Sequence, residues 1–389
     1  MANLFAVCTP GLEPLVAQEL SQLGLNPNLS PIGGEHFPAL NDSIDEVGGI
    51  EFQGALADIY RANLHLRTAS RVLVQMGRFY ADTFSDLRRR AKRLPWENYL
   101  LPGRSVSLRV SCHQSRLYHS EGVAERMLEA IADRMGQPLP LREFNRNKEE
   151  SPPPLVIVRL RDNRCAISID SSGPLLYRRG YRLATGRAPL RETLAAGILL
   201  ASGWDASSPL LDPFCGAGTI AIESALLARK IPPGINRRFA FMGWPNFDAR
   251  IWDELIAEAQ AVPGSRAPKI IASDRDAGAV EAAKANAERA GMAGVIEFSC
   301  RPISAIDPPM RAGWVVTNPP YGVRLGASRD LRKLYVQFGK VLRAKCPGWH
   351  LAVLCNRAEL LRATGLKFDP GIQTRNGGIK VRLVRGRIK

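Results

Sequence analysis

The sequence contains 389 residues, more than one hydrophobic core usually organises, so two or more domains are expected. Apolar residues make up 45% of the chain and charged residues 23%, which excludes global disorder, and no uncharged apolar run is long enough to span a membrane. The formal net charge of +16 favours a polyanionic partner over a basic or neutral one.

Apolar periodicity predicts an α+β arrangement over the first 170 residues. The predicted strands are Leu4–Cys8, Gly49–Gln53, Ser70–Met76, Ser105–Cys112 and a hairpin of Leu155–Leu160 with Cys165–Ile169. The predicted helices are Glu13–Leu23, Leu56–Leu64, Phe84–Arg93 and Glu121–Met135. The connections at residues 27–38 and 147–154 are predicted loops.

A glycine- and arginine-rich segment, residues 171–189, predicts a linker. Strands and helices then alternate, which favours a mostly parallel sheet covered on both faces. The predicted strands are Pro209–Leu211, Lys269–Ser273, Val295–Ser299, Trp314–Thr317 and His350–Cys355. The predicted helices are Leu190–Leu200, Thr219–Ala228, Ala277–Ala290 and Leu331–Ala344, and an insertion at about 230–268 carries a helix near Ile251–Ala261.

The positive charge is concentrated in two blocks. Residues 61–190 carry a net charge of +12 and residues 301–389 one of +14, whereas residues 1–60 carry −8 and residues 191–300 carry −2. Two basic blocks predict two surfaces that face a nucleic acid, with general basicity as the alternative. Five basic residues of the Phe84–Arg93 helix are predicted to contact it: Arg88, Arg89, Arg90, Lys92 and Arg93.

A glycine turn follows the predicted strand at 209–211. Its sequence is Asp212-Pro-Phe214-Cys-Gly216-Ala-Gly218-Thr219. Glycines let the backbone turn tightly and leave room for a ligand against the helix start, where free N–H groups favour an anion. A dinucleotide fingerprint would need a third glycine, and a triphosphate loop would need a lysine, so a ligand with a small carboxylate fits better.

Two aspartates, Asp274 and Asp276, end the next predicted strand. An acidic residue at this position of an α/β sheet is placed to accept hydrogen bonds from ribose hydroxyls. Capping of the following helix is the alternative role for either aspartate.

The most specific motif is Asn318-Pro319-Pro320-Tyr321, directly after the predicted strand at 314–317. Two prolines force the chain to leave the sheet in a fixed extended conformation. The Asn318 side-chain carbonyl and the Pro319 backbone carbonyl can then accept both hydrogens of an exocyclic amine, while the Tyr321 ring offers a stacking face. These acceptors favour the localised lone pair that attacks a methyl group. Without its neighbours, the proline pair would indicate only a turn.

These motifs resemble those of class I S-adenosylmethionine-dependent methyltransferases that act on exocyclic amines. The longer strings APLRETLAAGILL, DPFCGAGTIAIESALLA, TNPPYGVRLG and NGGIKVRL resemble the THUMP-domain RNA guanine-N2 methyltransferases, especially the bacterial 23S rRNA enzymes. SRLYHSEGVAERMLEAI and NRCAISIDSSGPLLYRRGYR resemble the THUMP domain and its exit, so the resemblance covers nearly the whole chain.

The resemblance implies a Rossmann-like methyltransferase domain with a mostly parallel seven-stranded sheet, preceded by an α+β THUMP and ferredoxin-like RNA-binding region. The implied boundaries are a ferredoxin-like part at 1–60, a THUMP domain at 61–170, a linker at 171–189 and a methyltransferase domain at 190–389. Some relatives carry a second methyltransferase unit, whereas this sequence ends at Lys389, so one methylation is expected.

The resemblance also assigns roles to residues. It implies that the methionine part of S-adenosylmethionine lies among Asp212, Phe214, Gly216, Gly218 and Thr219, the ribose at Asp274 with Asp276 beside it, and the target guanine at residues 318–321. Relatives usually have an aspartate that contacts adenine where this chain has Pro302. Three alternatives follow: Ser304 makes the adenine contact, backbone groups make it, or cofactor affinity is weaker.

We therefore expect a cytoplasmic enzyme that methylates guanine N2 in RNA, preferentially 23S rRNA, and releases S-adenosylhomocysteine. Seven scattered cysteines without a C-x-x-C pair and five histidines without ligand spacing predict no metal and no disulfide framework. Three alternatives stay open: a tRNA guanine-N2 methyltransferase, an adenine-N6 nucleic-acid methyltransferase, and a non-catalytic RNA-binding assembly factor. The oligomeric state is open.

Overall fold

The computed structural model describes residues 1–28, 48–142, 152–183, 190–261, 268–310, 312–321 and 328–389, without the side chains of residues 328 and 329. The chain forms two compact units. The first comprises residues 1–8, 16–176 and 237–257, and the second comprises residues 9–15, 177–236 and 258–389. Most of the two predicted loops, the end of the predicted linker and part of the predicted insertion lie outside the described residues. Residues 27 and 28, predicted as the start of a loop, form a short strand.

The elements up to residue 170 supply the sheet of the first unit. They are β1 (Ala2–Cys8), α1 (Glu13–Gln22), β2 (Pro27–Asn28), β3 (Gly48–Gly54), α2 (Leu56–His65), β4 (Ala69–Tyr80), α3 (Phe84–Ala91), β5 (Ser107–His113), α4 (Ser120–Met135), β6 (Leu155–Arg161) and β7 (Arg164–Asp170). The seven strands lie in the order β2-β3-β1-β4-β7-β6-β5. All pairs are antiparallel except β5 with β6.

Local sequence explains several features of this sheet. Strands β6 and β7 form the predicted hairpin, and its turn uses Asp162 and Asn163 at φ +51° and +61°, a conformation that Asp and Asn tolerate better than most residues. Helix α4 ends at Met135 and is capped by Gly136, whose φ is +78°. Apolar residues from β1, β4 and β6 bury one another in a cluster of Phe5, Val7, Leu73, Leu155 and Ile157.

The elements after residue 190 are mostly those of the second unit. They are α5 (Glu192–Ser202), β8 (Leu210–Asp212), α6 (Thr219–Ala228), α7 (Ala249–Ala261), β9 (Ile270–Asp274), α8 (Ala277–Arg289), β10 (Ile296–Cys300), β11 (Trp314–Thr317), α9 (Ser328–Lys345), β12 (His350–Cys355), α10 (Ala358–Ala363), β13 (Ile372–Asn376) and β14 (Ile379–Arg387).

The sheet of the second unit has the order β10-β9-β8-β11-β12-β14-β13. The first five strands are parallel, and β14 and β13 form an antiparallel hairpin at one edge. This confirms the predicted fold class of a mostly parallel seven-stranded sheet. Because the strand order reverses direction between β8 and β11, their carboxyl ends border the crevice in which α/β sheets bind ligands.

The predicted insertion contributes residues 237–257 to the first unit. Its rings pack on Tyr60 of α2: the centroid of Phe241 lies 4.3 Å away in a stacked arrangement, and that of Phe247 lies 5.6 Å away. The Tyr60 hydroxyl accepts a hydrogen bond from the Asp248 backbone N–H at 3.1 Å. Aromatic burial therefore explains why this stretch belongs to the first unit.

Candidate active site

The carboxyl ends of β8 and β11 meet through side chains. Asp212 ends β8 and Thr317 ends β11, and the Thr317 hydroxyl donates a hydrogen bond of 2.6 Å to Asp212 Oδ1. The Phe214 backbone N–H donates to the same oxygen at 3.3 Å. Asp212 is 1% exposed and Thr317 is fully buried. The hydrogen bond between Thr317 and Asp212 therefore brings together the starts of the two motifs at residues 212–219 and 318–321.

The Asp212 carboxyl is buried without a basic side chain bonded to it among the described residues. Burial raises its pKa to about 7; the hydrogen bonds from Thr317 and Phe214 oppose this shift, and the nearby Asp274 charge adds to it. A positively charged ligand group beside Asp212 would favour the ionised form. The carboxyl thus has the electrostatic character of a cation-binding group.

The glycine turn between β8 and α6 uses its two glycines differently. Gly216 has φ +50°, and a Cβ built on it would meet no atom within 4 Å. Gly218 has φ +82°, and its Cβ would lie 2.9 Å from the Ala283 Cβ of α8. Gly218 therefore permits close helix packing, whereas Gly216 leaves open space above the turn for a ligand.

Asp274 ties the end of β9 to this turn. Its Oδ2 accepts from the Gly216 backbone N–H at 3.0 Å, and its Oδ1 accepts from the Asp276 N–H at 3.1 Å. Asp276 caps α8, since its Oδ1 accepts from the N–H groups of Gly278 and Ala279 at 2.9 and 3.2 Å. The structure thus brings Asp274 to the turn, and it places Asp276 in the capping role that the sequence left open.

The motif after β11 carries an unpartnered acceptor. Asn318 Oδ1 is buried and has no hydrogen-bond partner among the described residues, although a buried amide oxygen without a partner costs free energy. The Tyr321 hydroxyl accepts a hydrogen bond from Asn376 Nδ2 at 2.8 Å, and burial raises the pKa of Tyr321. Tyr321 is 7% exposed, so its ring is held largely inside the unit.

Thr219, at the first position of α6, is buried and paired. Its hydroxyl accepts a hydrogen bond of 2.9 Å from Arg182 Nη2, and Arg182 Nε lies 3.2 Å from Glu192 Oε1. Burial raises the pKa of Glu192 to about 7 while the Arg182 charge opposes the shift. A basic group therefore lies at the start of the helix, where an anionic ligand group would also be favoured.

Ser304 is exposed in a short 3-10 turn, Ile303–Ala305, that follows β10. Pro302, which precedes the turn, is exposed as well. Within the described part of the chain, the hydrogen bonds of Asp212 come from Phe214 and Thr317 and not from Ser304, so the role of Ser304 stays a prediction.

Four residues of this site are not indicated by the sequence. Thr317 donates a hydrogen bond to Asp212, and Arg182 donates one to Thr219. Asn376 donates one to the Tyr321 hydroxyl. Asn356, directly after β12, has a second buried Oδ1 without a partner among the described residues. The one available signal is position, because Thr317 and Asn356 lie at the carboxyl ends of apolar strands.

The predicted RNA-contacting arginines of α3 differ in their pairing. Arg88 forms a two-pronged ion pair with Asp133, at 2.8 and 3.0 Å, and contacts Glu129 at 2.9 Å. Arg89 pairs with Asp86. Arg90, Lys92 and Arg93 are exposed. Part of the charge expected to face RNA is therefore offset by carboxylates on α3 and α4.

Within the described ranges, no group of three or more His, Cys, Asp or Glu side chains is arranged to hold a metal ion. None of the helices in the described part of the chain has both the length and the apolarity to cross a bilayer.

Family models match three consecutive stretches of the chain. Residues 3–33 and 42–73 match the RlmL ferredoxin-like domain, and residues 81–170 match the THUMP domain. Residues 179–385 match the RMKL-like methyltransferase domain. The chain belongs to this methyltransferase family. The resemblance inferred from the sequence motifs is thereby confirmed.

Similar proteins extend this assignment. The "Putative RNA methyltransferase" of Synechocystis is 34% identical and covers 98% of this chain and 95% of its own length. The "Ribosomal RNA large subunit methyltransferase K/L" of Shewanella baltica is 35% identical over 98% of this chain, which spans 52% of that longer protein. A crystal structure described as "a putative methyltransferase complexed with SAH" is 29% identical, with a TM-score of 0.86, and covers 100% of this chain and 98% of its own.

Proposed function

We propose that this family member transfers a methyl group from S-adenosylmethionine to the exocyclic N2 amine of a guanine in RNA, with 23S rRNA as the substrate class and the cytoplasm as its location. The observation that carries the proposal is the buried, unpartnered Asn318 Oδ1 at the crevice between β8 and β11. An acceptor kept without a partner in the free protein is suited to receive a donor from a substrate.

The residues around the glycine turn fit the cofactor. Gly216 leaves space where any other residue would place a Cβ, and Asp212 is buried without a cation bonded to it among the described residues. S-adenosylmethionine carries a sulfonium and an ammonium, and both would favour the ionised Asp212. Asp212, Phe214, Gly216, Gly218 and Thr219 would hold its methionine part, with Asp274, Asp276 and Ser304 on the nucleoside side.

When bound, S-adenosylmethionine supplies an electrophilic methyl group. The chain's own part is to orient the nucleophile. Asn318 Oδ1 and the Pro319 carbonyl would accept the two N–H bonds of the guanine amine, which concentrates its lone pair toward the methyl group. No strong general base is needed, since the amine becomes acidic only as it gains charge.

Two observations support RNA as the substrate. The Synechocystis and Shewanella relatives are named for RNA and ribosomal RNA, and the chain spans about half the length of the latter. The net charge of +16 is concentrated on either side of the nearly neutral stretch that holds the glycine turn. That this chain shares the ribosomal RNA substrate of the longer relatives is therefore part of the proposal.

The test compares Asn318→Ala with Asn98→Ala, a control at an exposed asparagine of the first unit. We expect Asn318→Ala to abolish methyl transfer while calorimetry still detects S-adenosylmethionine binding. The measurement is mass spectrometry of nucleosides from RNA treated with each protein. Undiminished N2-methylguanosine formation by Asn318→Ala contradicts the mechanism.

The same experiment separates the remaining alternatives. N6-methyladenine in place of N2-methylguanosine would indicate the adenine enzyme, because the acceptor pair serves either amine. Methylated tRNA in place of 23S rRNA would indicate the tRNA enzyme. The absence of heat on adding S-adenosylmethionine or S-adenosylhomocysteine to the unmodified protein would favour a non-catalytic assembly factor.

A further inference from the structure

The first unit contains a cavity that has no part in the site described above. Its volume is about 390 Å³, within the range of about 300–1,000 Å³ that is usual for small-molecule sites. Three separate stretches line it together with Arg142 and Pro174: residues 101–105 before β5, residues 152–154 before β6, and residues 238–243 from the insertion. All lie in the first unit.

The charge on the cavity lining is of one sign. Arg104, Arg142 and Arg238 line it, and all three side chains are exposed to solvent. No aspartate or glutamate is among the described residues that line it. Guanidinium groups converging on one concave surface favour a phosphate, which each of them can bind through two parallel hydrogen bonds.

The rest of the lining is mostly apolar. Leu101, Met242, Pro153 and neighbouring prolines present hydrocarbon surface to the cavity. Apolar side chains can pack against the face of a base without reading its identity. The cavity therefore combines a surface for an anion with a surface for a planar ring.

Local structure holds Arg238 at this cavity. The preceding residue, Arg237, donates hydrogen bonds to the backbone carbonyls of Pro174 and Leu175, at 2.5 and 3.0 Å. Its guanidinium lies 5.3 Å from the centroid of the Phe239 ring, which is buried. Arg237 and Phe239 thus fix the backbone on both sides of Arg238, an exposed residue that lines the cavity.

We propose that this cavity binds one unpaired nucleotide of the RNA substrate, with its phosphate at Arg104, Arg142 and Arg238 and its base on the apolar lining. The inference rests on the proposed function in that RNA is the substrate. It assigns the insertion within the methyltransferase sequence to RNA binding, because Arg238 and Met242 come from it.

The test measures binding of a fluorescein-labelled, ten-nucleotide single-stranded RNA to the full chain by anisotropy over a series of salt concentrations. For Arg104→Gln/Arg238→Gln we expect about tenfold weaker binding. Each lost phosphate contact should lower the slope of log K against log salt by about 0.7. A second variant, Met242→Ser, removes hydrocarbon surface from the cavity without changing charge and should also weaken binding.

The matched control is Arg116→Gln. Arg116 has a 74% exposed side chain paired with Asp82, and it follows the far end of β5, about 20 Å from the residues that precede the strand. The affinity of the Arg116→Gln variant for the RNA should stay within about twofold of that of the unmodified protein, because Arg116 is a solvent-exposed charge. An equal loss in Arg116→Gln, or unchanged affinity in both cavity variants, would overturn the proposal. Circular dichroism spectra verify that each variant is folded.

N2-methylguanosine analysis with the same proteins separates this inference from the proposed function. If the unmodified protein methylates RNA and the cavity variants bind and methylate as it does, the cavity assignment fails and the function stands. If the unmodified protein neither methylates nor binds RNA, the proposed function fails, and the cavity assignment fails with it.

Discussion

Two buried aspartates at strand ends, one in each unit, have opposite surroundings. Asp170 ends β7 and is fully buried; it pairs with the buried Arg71 of β4 and accepts backbone N–H bonds from Ser172 and Gly173 at 2.9 and 3.0 Å. Asp212 ends β8 with a hydroxyl and one backbone N–H as its donors. The first carboxylate is compensated inside the protein, and the second is not.

The difference separates a structural carboxylate from one prepared for a ligand. A buried ionised carboxylate without a cation is unfavourable, which is why burial raises the pKa of Asp212 to about 7. Natural proteins keep such groups where a ligand supplies the missing charge. Experiments on both aspartates test this interpretation of Asp212.

The largest expected effect is the loss in free energy of unfolding when the buried ion pair of Arg71 with Asp170 is broken. Arg71→Met leaves Asp170 as a buried charge without its cation and should lower the free energy of unfolding by about 3–5 kcal/mol. Arg78→Met, on the same strand, removes an exposed ion pair with Glu51 and should cost at most about 1 kcal/mol. Chemical denaturation measures both.

The double variant Arg71→Met/Asp170→Asn sharpens the result. It removes the uncompensated charge and should recover part of the stability lost in Arg71→Met. Equal losses in Arg71→Met and Arg78→Met would mean that the buried pair is not what distinguishes Asp170.

The next effect concerns the pH dependence of stability. The pKa of Asp212 is raised from 3.8 to about 7 in the folded state, so the folded protein binds the proton more tightly than the unfolded chain. The contribution of Asp212 to stability is then highest below the unfolded pKa and falls as pH rises through the folded pKa, by at most about 4 kcal/mol. Glu192, whose pKa is also raised to about 7, contributes with the same sign.

Asp212→Asn isolates the contribution of Asp212. The asparagine side chain at position 212 is neutral at every pH. The unfolding free energy of the variant should therefore fall less than that of the unmodified protein between pH 5 and pH 8. The measurement is urea denaturation across that range without cofactor. Parallel curves for the two proteins would show that Asp212 does not titrate in this window.

Local patterns in the sequence predict most of the sheet but not all of it. Alternating or continuous apolar runs give β5, β8 and β11 within one or two residues, because side-chain direction repeats along a strand. The hairpin of β13 and β14 is missing from the prediction, although β14 alternates buried Val381 and Leu383 with exposed basic residues, which is a strand pattern. The domain boundaries inferred from resemblance stay a prediction.

Contacts between distant residues are the part that the sequence does not predict. Asp212 and Thr317 are 105 positions apart, and their hydrogen bond depends on β11 lying beside β8 rather than beside β10. Likewise, the rings of the insertion pack on Tyr60, far earlier in the chain. Motif residues could be named from their chemistry, whereas their partners follow only from strand order and packing.

The smallest expected effect links Asp212 to the proposed cofactor. A cation beside Asp212 lowers its pKa, so S-adenosylmethionine binding near pH 7 should release a fraction of a proton. Below pH 7, the affinity for S-adenosylmethionine should therefore increase as pH rises, by at most about tenfold per pH unit. Calorimetry in two buffers of different ionisation enthalpy measures the released proton. Asp212→Asn should bind without this release, while Asp170, already paired with Arg71, needs no such ligand. Equal proton release by the unmodified protein and Asp212→Asn would place the coupling at another group and remove the distinction between the two aspartates.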